Sequence, residues 1–525
     1  KNFTLYADYK KNFNDRHDLS VMVGTSYESE NYDRFTAKRI NFDQQENMSL
    51  QLGSAQDQNA WSEGNQWTIN SFFSRVNYTF ANKYVIEGTI RADGSSRFDP
   101  DHRWGWFPGV NAAWRVGEEG FMKRLGWFED LKVRASYGEM GNQSGIGLYD
   151  YIQLISLSND YYPFGTGVKG QMATSGNIIS TSRTWETIQT TNVGFDFSTL
   201  NNRLYGSFDY FWKENKNMLI PKTYPSMLGA DAPSTNSGHL SIHGWEISLG
   251  WRDQIKDFSY SVRFNISDAK NKVVDRVGSN LIQLGNNETP TGYPLNSYFG
   301  YEFDGIIQNE QELEAYKSRF SEGGIPGDLS VGDAMYKDLD GDGKLSVLGD
   351  GKEGSGDVKY LGDKNPRYNF GFNLSMAWKG FDLSAFIQGV GRRTMFLEGE
   401  SRCPMPEAWY QSAEYWYGKT WTPERTDAQY PAITLKDKRN YNYYVSTNTK
   451  FNVAYARLKN LQFGYTIPQT LTSKAGLQKV RVYFSGEDLF EVHNTPNGWD
   501  PEENSGSITS YPFTRNYSFG INVVF

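Results

Sequence analysis

The acidic residues between positions 338 and 346 have the types and the spacing of a calcium-binding loop. The stretch reads Asp-Leu-Asp-Gly-Asp-Gly-Lys-Leu-Ser. An EF-hand loop uses acidic ligands at positions 1, 3 and 5, glycine at 6 for the sharp turn, a backbone carbonyl at 7 and often a water-mediated ligand at 9. Those positions are filled here by Asp338, Asp340, Asp342, Gly343, Lys344 and Ser346. The loop therefore predicts coordination of Ca²⁺ by hard oxygen ligands.

The remainder of the loop departs from the EF-hand pattern. Position 12 is Gly349, where an EF-hand has a bidentate Glu, so Asp350 or Asp357 is the candidate to complete the shell. The glycine-rich flanks do not favour the two EF-hand helices. The alternative is a metal-free Asp/Gly turn held by side-chain to backbone hydrogen bonds. If calcium binds, we expect a structural role in which it makes the long connection 269–366 more rigid.

The sequence gives little support for a zinc site, for catalysis or for a disulfide. Only two of the five histidines, His239 and His243, have an i,i+4 spacing, and they straddle the start of a predicted strand, so a zinc pair is not favoured. The sequence contains no G-x-S-x-G stretch, no P-loop and no Cys/His cluster. With Cys403 as the one cysteine, no internal disulfide can form. We therefore predict that the protein is not an enzyme and has no catalytic cofactor.

The composition points to a membrane-spanning β-sheet. Aromatic residues make up 16% of the 525 residues, yet hydrophobic residues reach only 38% and the mean hydropathy is −0.64. No apolar run approaches the 18 residues of a transmembrane helix, whereas a transmembrane β-strand leaves every second residue polar. The net charge of −8 and the absence of a long basic run exclude nucleic acid as a partner.

Stretches in which apolar and polar residues alternate recur along the chain. From Phe513 to Phe525 the odd positions are mostly aromatic or aliphatic, and the even positions are mostly small and polar. The segments Leu204–Trp212 and Phe72–Phe80 repeat this alternation. The predicted strands are 2–10, 17–29, 66–80, 84–94, 104–117, 130–141, 190–200, 204–216, 242–253, 258–268, 367–379, 381–391, 451–466, 480–491 and 514–525.

The connections between these strands alternate strictly between a short class and a mostly long class. Short connections such as 81–83 and 201–203 contrast with long ones such as 142–189 and 269–366. This asymmetry predicts an all-β fold, namely a transmembrane antiparallel β-barrel with short periplasmic turns and long extracellular loops. The alternative is a soluble all-β protein with decorated loops. Because about 15 strands is an odd number and a plugged transporter has about 22, we expect further strands upstream.

Several stretches resemble the SusC/RagA-type TonB-dependent transporters of Gram-negative outer membranes. The resemblance covers the chain from about residue 66 to the end. The stretches that carry it are RADGSSRF (91–98), WGWFPGVNAAWRVGEEGFM (104–122), LKVRASYGEMGNQ (131–143), NVGFDFSTLNNRLYGSFDYFWKENKNML (192–219), GYEFDGIIQ (300–308), YKDLDGDGKL (336–345), YARLKNLQFGYTIPQTL (455–471) and RVYFSGEDLF (481–490). Phe525, at the end of an alternating strand, resembles the assembly signal of outer-membrane barrels.

The resemblance implies a function and partners. Residues 1–525 would be the C-terminal part of a 22-stranded barrel in the outer membrane, with the plug and first strands absent from this chain. Family members import oligosaccharides, and sometimes peptides, with energy from the TonB complex and with a SusD-like lipoprotein lid. An oligosaccharide is thus the expected substrate. The alternatives are oligopeptide import, a surface glycan-binding barrel without transport, and an outer-membrane enzyme.

Aromatic residues in the predicted loops are the candidate substrate contacts, because the axial face of a pyranose stacks on an aromatic ring. The densest stretch is 407–421. The candidates are Trp61, Tyr161, Tyr162, Trp409, Tyr410, Tyr415, Trp416 and Tyr417. Packing within the loops is the alternative role for each of them.

In the connection 269–366, a capping box of Asn309 and Glu312 also predicts a short helix. This helix would either form part of a docking surface for the lid or be a solvated surface helix.

Overall fold

The computed structural model contains twenty-five strands and four α-helices among its described residues. It describes residues 1–42, 46, 48–56, 58–158, 163–164, 168–169, 172–175, 178–221, 234–276, 285, 289–348, 356–406, 411–434, 437–503, 506, 511 and 513–525. The strands are β1 (Asn2–Phe13), β2 (His17–Lys38), β3 (Asn59–Phe80), β4 (Tyr84–Ser95), β5 (Trp104–Trp114), β6 (Asp130–Asn142), β7 (Ile155–Ser158), β8 (Pro163–Phe164), β9 (Val168–Lys169), β10 (Met172–Ser175), β11 (Glu186–Thr199), β12 (Leu204–Pro221), β13 (Ser234–Ile255), β14 (Phe258–Asp275), β15 (Ser297–Tyr301), β16 (Phe303–Ile306), β17 (Ala334–Tyr336), β18 (Val358–Asp363), β19 (Arg367–Trp378), β20 (Phe381–Arg392), β21 (Thr394–Met395), β22 (Phe451–Asn452), β23 (Tyr455–Thr466), β24 (Lys479–His493) and β25 (Asn516–Val524). The helices are α1 (Gly120–Leu125), α2 (Glu310–Arg319), α3 (Asp437–Asn442) and α4 (Gln469–Thr472).

Fifteen of these strands form one sheet in which neighbours along the chain are neighbours in space. Its order is β1-β2-β3-β4-β5-β6-β11-β12-β13-β14-β19-β20-β23-β24-β25. Each corresponds to one of the fifteen predicted strands, so the predicted all-β fold is confirmed. Tight turns join the strands at most of the short connections, whereas α1 lies between β5 and β6 and α4 lies between β23 and β24. Asn14 and Asp15 both have φ 55°, and Ala81 and Asn82 have φ 53° and 56°, which is the backbone of the turns that match the right-handed twist of a hairpin.

The two faces of the strands differ in polarity. In β25, Tyr517, Phe519 and Ile521 point to one side and expose 62%, 83% and 66% of their surface. The small polar residues Ser518 and Asn522 occupy the alternate positions. Exposed aromatic and aliphatic side chains on one face of a sheet are unfavourable in water but expected against lipid. No helix within the described ranges is long and apolar enough to cross a membrane.

Strands β2 and β3 extend further than predicted. The prediction ended the first at residue 29 and began the second at residue 66, whereas they pair from His17↔Phe80 to Lys38↔Asn59. Neighbouring strands pair with β2 only as far as Glu28 and with β3 only from Ile69. The outer ten residues of each strand therefore form a two-stranded ribbon, and most of its side chains are exposed on both faces. Without a buried face, the ribbon has no hydrophobic alternation for sequence analysis to detect.

The chain divides into two compact units. The first comprises Lys1–Trp114, Arg134–Thr191 and Lys213–His239, and the second comprises Arg115–Val133, Asn192–Trp212 and Leu240–Phe525. Within the second unit, the described parts of 289–363 and 394–453 form what we call the loop module. It contains short strand pairs, β15 with β18, β16 with β17 and β21 with β22. Five of its largest fully buried side chains are tyrosines.

The core of the loop module joins two connections that are distant in sequence. Tyr316, Tyr336 and Tyr441 are each 1% exposed or less. The hydroxyls of Tyr316 and Tyr441 are 2.7 Å apart, and the Tyr336 hydroxyl donates to the Tyr441 carbonyl at 2.8 Å. Asn442 accepts from the Ala334 N–H at 3.0 Å. The connection after β14 and the connection after β20 therefore fold together around one core.

Candidate functional site

The predicted calcium loop is a tightly turned segment at the surface of the loop module. Asp338 accepts hydrogen bonds from the backbone N–H groups of Gly341 at 2.7 Å and Gly343 at 3.0 Å. Gly341 and Gly343 have φ 76° and 77°, a left-handed conformation that costs glycine little. Leu345 then enters the core of the module. The Asp/Gly spacing thus positions the carboxylates, and Leu345 anchors the end of the loop.

Three carboxylates converge at this loop. One oxygen from each of Asp338, Asp340 and Asp357 lies within 4.8 Å of the others. Asp357 is fully buried and accepts from the N–H groups of Leu339 at 2.6 Å and Ser346 at 2.8 Å. Desolvation raises the pKa of Asp340 and of Asp357, and the neighbouring carboxylates raise both further. A divalent cation would relieve this repulsion and is suited to the all-oxygen donor set.

The rest of the predicted ligand set is arranged differently. The Asp342 carboxylate accepts from the Lys344 N–H at 2.8 Å and is not a member of the converging group, in which Asp357 is the third acid. The Lys344 backbone forms a bridge with Gly323, and the Ser346 N–H donates to Asp357. Asp350 lies outside the described residues. Calcium binding at this loop stays a prediction, and the geometry favours Asp357 as the acid that completes the shell.

The aromatic candidates divide into buried, exposed and undescribed residues. Tyr415 and Trp416 are 8% and 3% exposed and belong to a cluster with Tyr430, whose hydroxyl lies 2.6 Å from that of Tyr415. In this arrangement both pack in the core of the loop module. Tyr417, at 88% exposed, and Trp61, at 46%, present their rings to the surroundings. The other four candidates lie outside the described residues: Tyr161, Tyr162, Trp409 and Tyr410.

The helix predicted from the capping box of Asn309 and Glu312 is confirmed. Helix α2 begins after Asn309, whose side chain accepts from the Glu312 N–H at 2.9 Å. In return Glu312 accepts from the Gln308 N–H at 2.9 Å and from the Asn309 side chain at 3.2 Å. Leu313 and Tyr316 are the buried residues of the helix. The helix therefore packs one side on the core of the module.

Sequence analysis missed two buried arginines, Arg393 and Arg457, whose ion pairs and hydrogen bonds hold the connection between β24 and β25. Arg457 is 2% exposed, and its guanidinium reaches Asp500 at 2.5 Å and Glu502 at 3.0 Å. Arg393 donates to the backbone carbonyls of Pro501 at 2.8 Å and Glu503 at 2.7 Å. The charge pattern alone gave no signal, because acidic and basic residues are frequent throughout the chain.

The fold and its faces define the class of this protein. A fifteen-stranded antiparallel sheet has apolar side chains exposed on one face and tight turns at most of its short connections. It carries a loop module with a core of its own. These features are expected of the wall of an outer-membrane β-barrel. Residues 1–489 match the family model described as TonB dependent receptor-like, beta-barrel. The chain belongs to this family, which confirms the resemblance seen in the sequence. It is therefore a protein of the outer membrane of Gram-negative bacteria.

Curated relatives extend the match along the whole chain. TonB-dependent receptor P3 of Formosa agariphila is 32% identical over 550 residues, a match that covers 99% of this chain and 52% of the relative. TonB-dependent receptor SusC of Bacteroides thetaiotaomicron is 26% identical over 560 residues, covering 100% of this chain and 50% of SusC. The chain thus spans about half the length of the curated relatives it matches.

Solved structures share the fold. A chain in the structure of the RagAB peptide transporter superposes with a TM-score of 0.81 at 23% identity, covering 99% of this chain and 55% of that chain. The RagAB peptide importer in its open-open state gives a TM-score of 0.80 at 23% identity, covering 100% and 54%. At this level of identity the likeness concerns the fold alone.

Proposed function

We propose that the protein imports an oligosaccharide across the outer membrane, with energy from TonB and together with a SusD-like surface lipoprotein. In this proposal the chain forms barrel wall and external loops of a transporter, and it does not act as an enzyme. The observation that carries the proposal is the family match over residues 1–489. The similarity to SusC, which covers 100% of this chain, supports the same machinery.

The structure supports this role because the strands expose apolar side chains, whereas the loop module buries its own in a core. The exposed apolar residues of the strands suit contact with lipid. The loop module has its own buried core, so it offers a stable surface to a partner. Helix α2 lies on this module with its first turn acidic, through Glu310 and Glu312. In our proposal the module forms part of the surface on which the lipoprotein closes.

Peptide import is the second candidate. Its support is the fold shared with the RagAB peptide transporter. Because both substrate classes would use the same barrel wall, the distinction must come from direct measurement of substrate uptake.

The test is uptake by cells of the native bacterium. The gene is deleted and restored on a plasmid, and cells are supplied with fluorescent hexasaccharides of four neutral sugar types or with a labelled decapeptide of mixed sequence. We expect uptake of one hexasaccharide that needs both this gene and TonB. Uptake of the decapeptide alone would replace the proposed substrate with a peptide, and uptake independent of TonB would contradict the energised transport.

A further inference from the structure

The polar face of the first strands contains a recess that sequence analysis did not detect. It has a volume of about 640 Å³, within the range typical of ligand sites. Its lining comes from β1 to β4, from Arg97 just after β4, from the residues at and just after the end of β6, and from Trp185. We call it the wall recess. All of its lining residues belong to the first compact unit.

Small side chains form the floor of the wall recess. Thr4 pairs with Ser26, Ser26 with Ser71, and Ser71 with Asp93, so these four residues form one row across four strands. Because threonine and serine have little volume, the wall is hollow over Thr4, Ser26 and Ser71. The same row supplies hydroxyl groups that both donate and accept hydrogen bonds.

The charges of the wall recess balance. Its charged residues are Glu28, Arg91, Asp93 and Arg97, so the formal charge of the lining is zero. Arg91 and Asp93 form an ion pair with Nε–Oδ distances of 2.7 and 2.9 Å. Within the described ranges, Arg97 has no carboxylate partner; it donates to the Ile146 carbonyl at 2.9 Å and lies over the Trp67 ring. The recess therefore neither strongly attracts nor repels a ligand by net charge.

Unpaired polar atoms border the wall recess. Among the described residues, Arg97 Nε and Gln143 Oε1 are buried and have no hydrogen-bond partner. One is a donor and the other an acceptor, and a buried polar atom without a partner is unfavourable. Asn2, Asn142 and Ser144 add further amide and hydroxyl groups. A ligand rich in hydroxyl groups can pair with the amide and hydroxyl groups that line the recess, because each hydroxyl donates and accepts.

We propose that the wall recess is a binding site for a neutral, hydroxyl-rich saccharide unit of the substrate. The inference rests on the proposed import function and adds the residues that contact the cargo. Trp185 lines the recess, but its ring packs against Phe98 and Phe107 and its Nε1 donates to the Arg103 carbonyl. Recognition would therefore come from hydrogen bonds to hydroxyl groups and not from stacking on this ring.

The test measures binding to the full-length transporter purified in detergent. Isothermal titration uses four neutral hexasaccharides (malto-, xylo-, galacto- and fructo-) and a mixed-sequence decapeptide. Ser26→Trp fills the floor of the recess. Ser20→Trp is the matched control, because it lies on the same face of β2 six residues away, or about 20 Å. We expect Ser26→Trp to weaken saccharide binding at least ~10-fold and Ser20→Trp to leave it unchanged.

A second variant keeps the test decisive if the tryptophan disturbs folding. Gln143→Ala removes an amide side chain that lines the recess and whose oxygen has no hydrogen bond in the described structure, so we expect a folded protein with weakened saccharide binding. Both variants are checked for heat-modifiable migration on a gel.

Three outcomes would overturn the inference. If the wild type binds a hexasaccharide and both Ser26→Trp and Gln143→Ala bind it equally well, the recess is not the site, although import of the saccharide stands. If the wild type binds only the decapeptide, or none of the probes, the saccharide assignment of the recess fails. TonB-dependent uptake by cells then decides separately whether the proposed import function fails as well.

Discussion

Two large aromatic residues show how differently the loop module and the sheet use their side chains. Tyr336 in the module has no exposed surface, whereas Phe519 in β25 exposes 83% of its surface. The module folds like a small soluble domain around a core of its own. The strands satisfy their backbone groups through their neighbours and direct apolar side chains toward lipid. The stability of the two regions should therefore respond to different changes.

The largest expected effect is the loss of core packing in the loop module. Tyr336→Ala leaves a cavity and removes the hydrogen bond to the Tyr441 carbonyl. We expect the free energy of unfolding of the module to fall by about 3–5 kcal/mol, measured as faster proteolysis of the connections 276–366 and 393–454 in urea. Heat-modifiable migration of the sheet should persist.

The matched control for this prediction is Phe519→Ala, which changes an aromatic residue of the wall. It should leave proteolysis of the module unchanged. If Tyr336→Ala abolished heat-modifiable migration as well, the two regions would not be separate in stability.

Calcium should stabilise only the loop module. Because ligand binding to the folded state adds stability by mass action, calcium at 100 times its Kd would add about 2.7 kcal/mol. We expect EGTA to accelerate proteolysis within 276–366 and Ca²⁺ to reverse it. Asp357→Ala should abolish this response. Equal proteolysis rates with EGTA and with Ca²⁺ would contradict the metal site.

Protonation of Asp340 and Asp357 should stabilise the loop in part, as bound calcium does. Desolvation and neighbouring carboxylates raise the pKa of Asp340 and of Asp357, so the folded loop binds these protons more tightly than the unfolded chain does. The associated stability is present when both groups are protonated and is lost as the pH rises through the raised pKa values. In EGTA, resistance of the loop to an acid-active protease should therefore increase as the pH falls into the carboxyl range. Lys337 and Lys359 lower the pKa of Glu302 in the same connection, and its protonation acts in the opposite direction. The comparison is therefore made with Asp357→Asn. An equal pH dependence of the wild type and Asp357→Asn would contradict the sign of the shifts.

The smallest expected effect concerns the start of helix α2. Asn309→Ala removes the cap on the Glu312 N–H and should cost the module about 1 kcal/mol, measured as a small shift in the urea midpoint of its proteolysis. Asn309→Asp keeps an acceptor at this position and serves as the control. A shift in the urea midpoint as large as that of Tyr336→Ala would mean that the Asn309 cap stabilises the module beyond helix α2.

The strands of the sheet could be predicted because their environment differs on their two sides. In β25, lipid on one side and polar groups on the other produce the alternation from Phe513 to Phe525. The outer ends of β2 and β3 were missed because both sides are polar and exposed. Periodicity therefore detects a strand only where burial or lipid contact selects one face.

The arrangement of the loop module could not be predicted from local patterns. Tyr316 and Tyr441 meet although 125 residues separate them, and nothing in the sequence near either one indicates the other. For the calcium loop, the spacing of Asp338 and Asp340 was informative, because their ligand geometry is local. Asp357 joins them through the fold, since β18 directly follows it and pairs with β15. Sequence analysis left Asp350 and Asp357 as alternatives for this reason.

The central claim is that the strands cross the outer membrane and carry the loop module outside the cell. It is tested by labelling single cysteines with a membrane-impermeant maleimide, after Cys403 has been replaced by serine. One cysteine replaces Glu314 on the exposed side of α2 and another replaces Lys474 in the short connection between β23 and β24. We predict labelling of Glu314→Cys on intact cells and of Lys474→Cys only after the outer membrane is permeabilised. Labelling of both positions on intact cells would contradict the membrane-spanning arrangement.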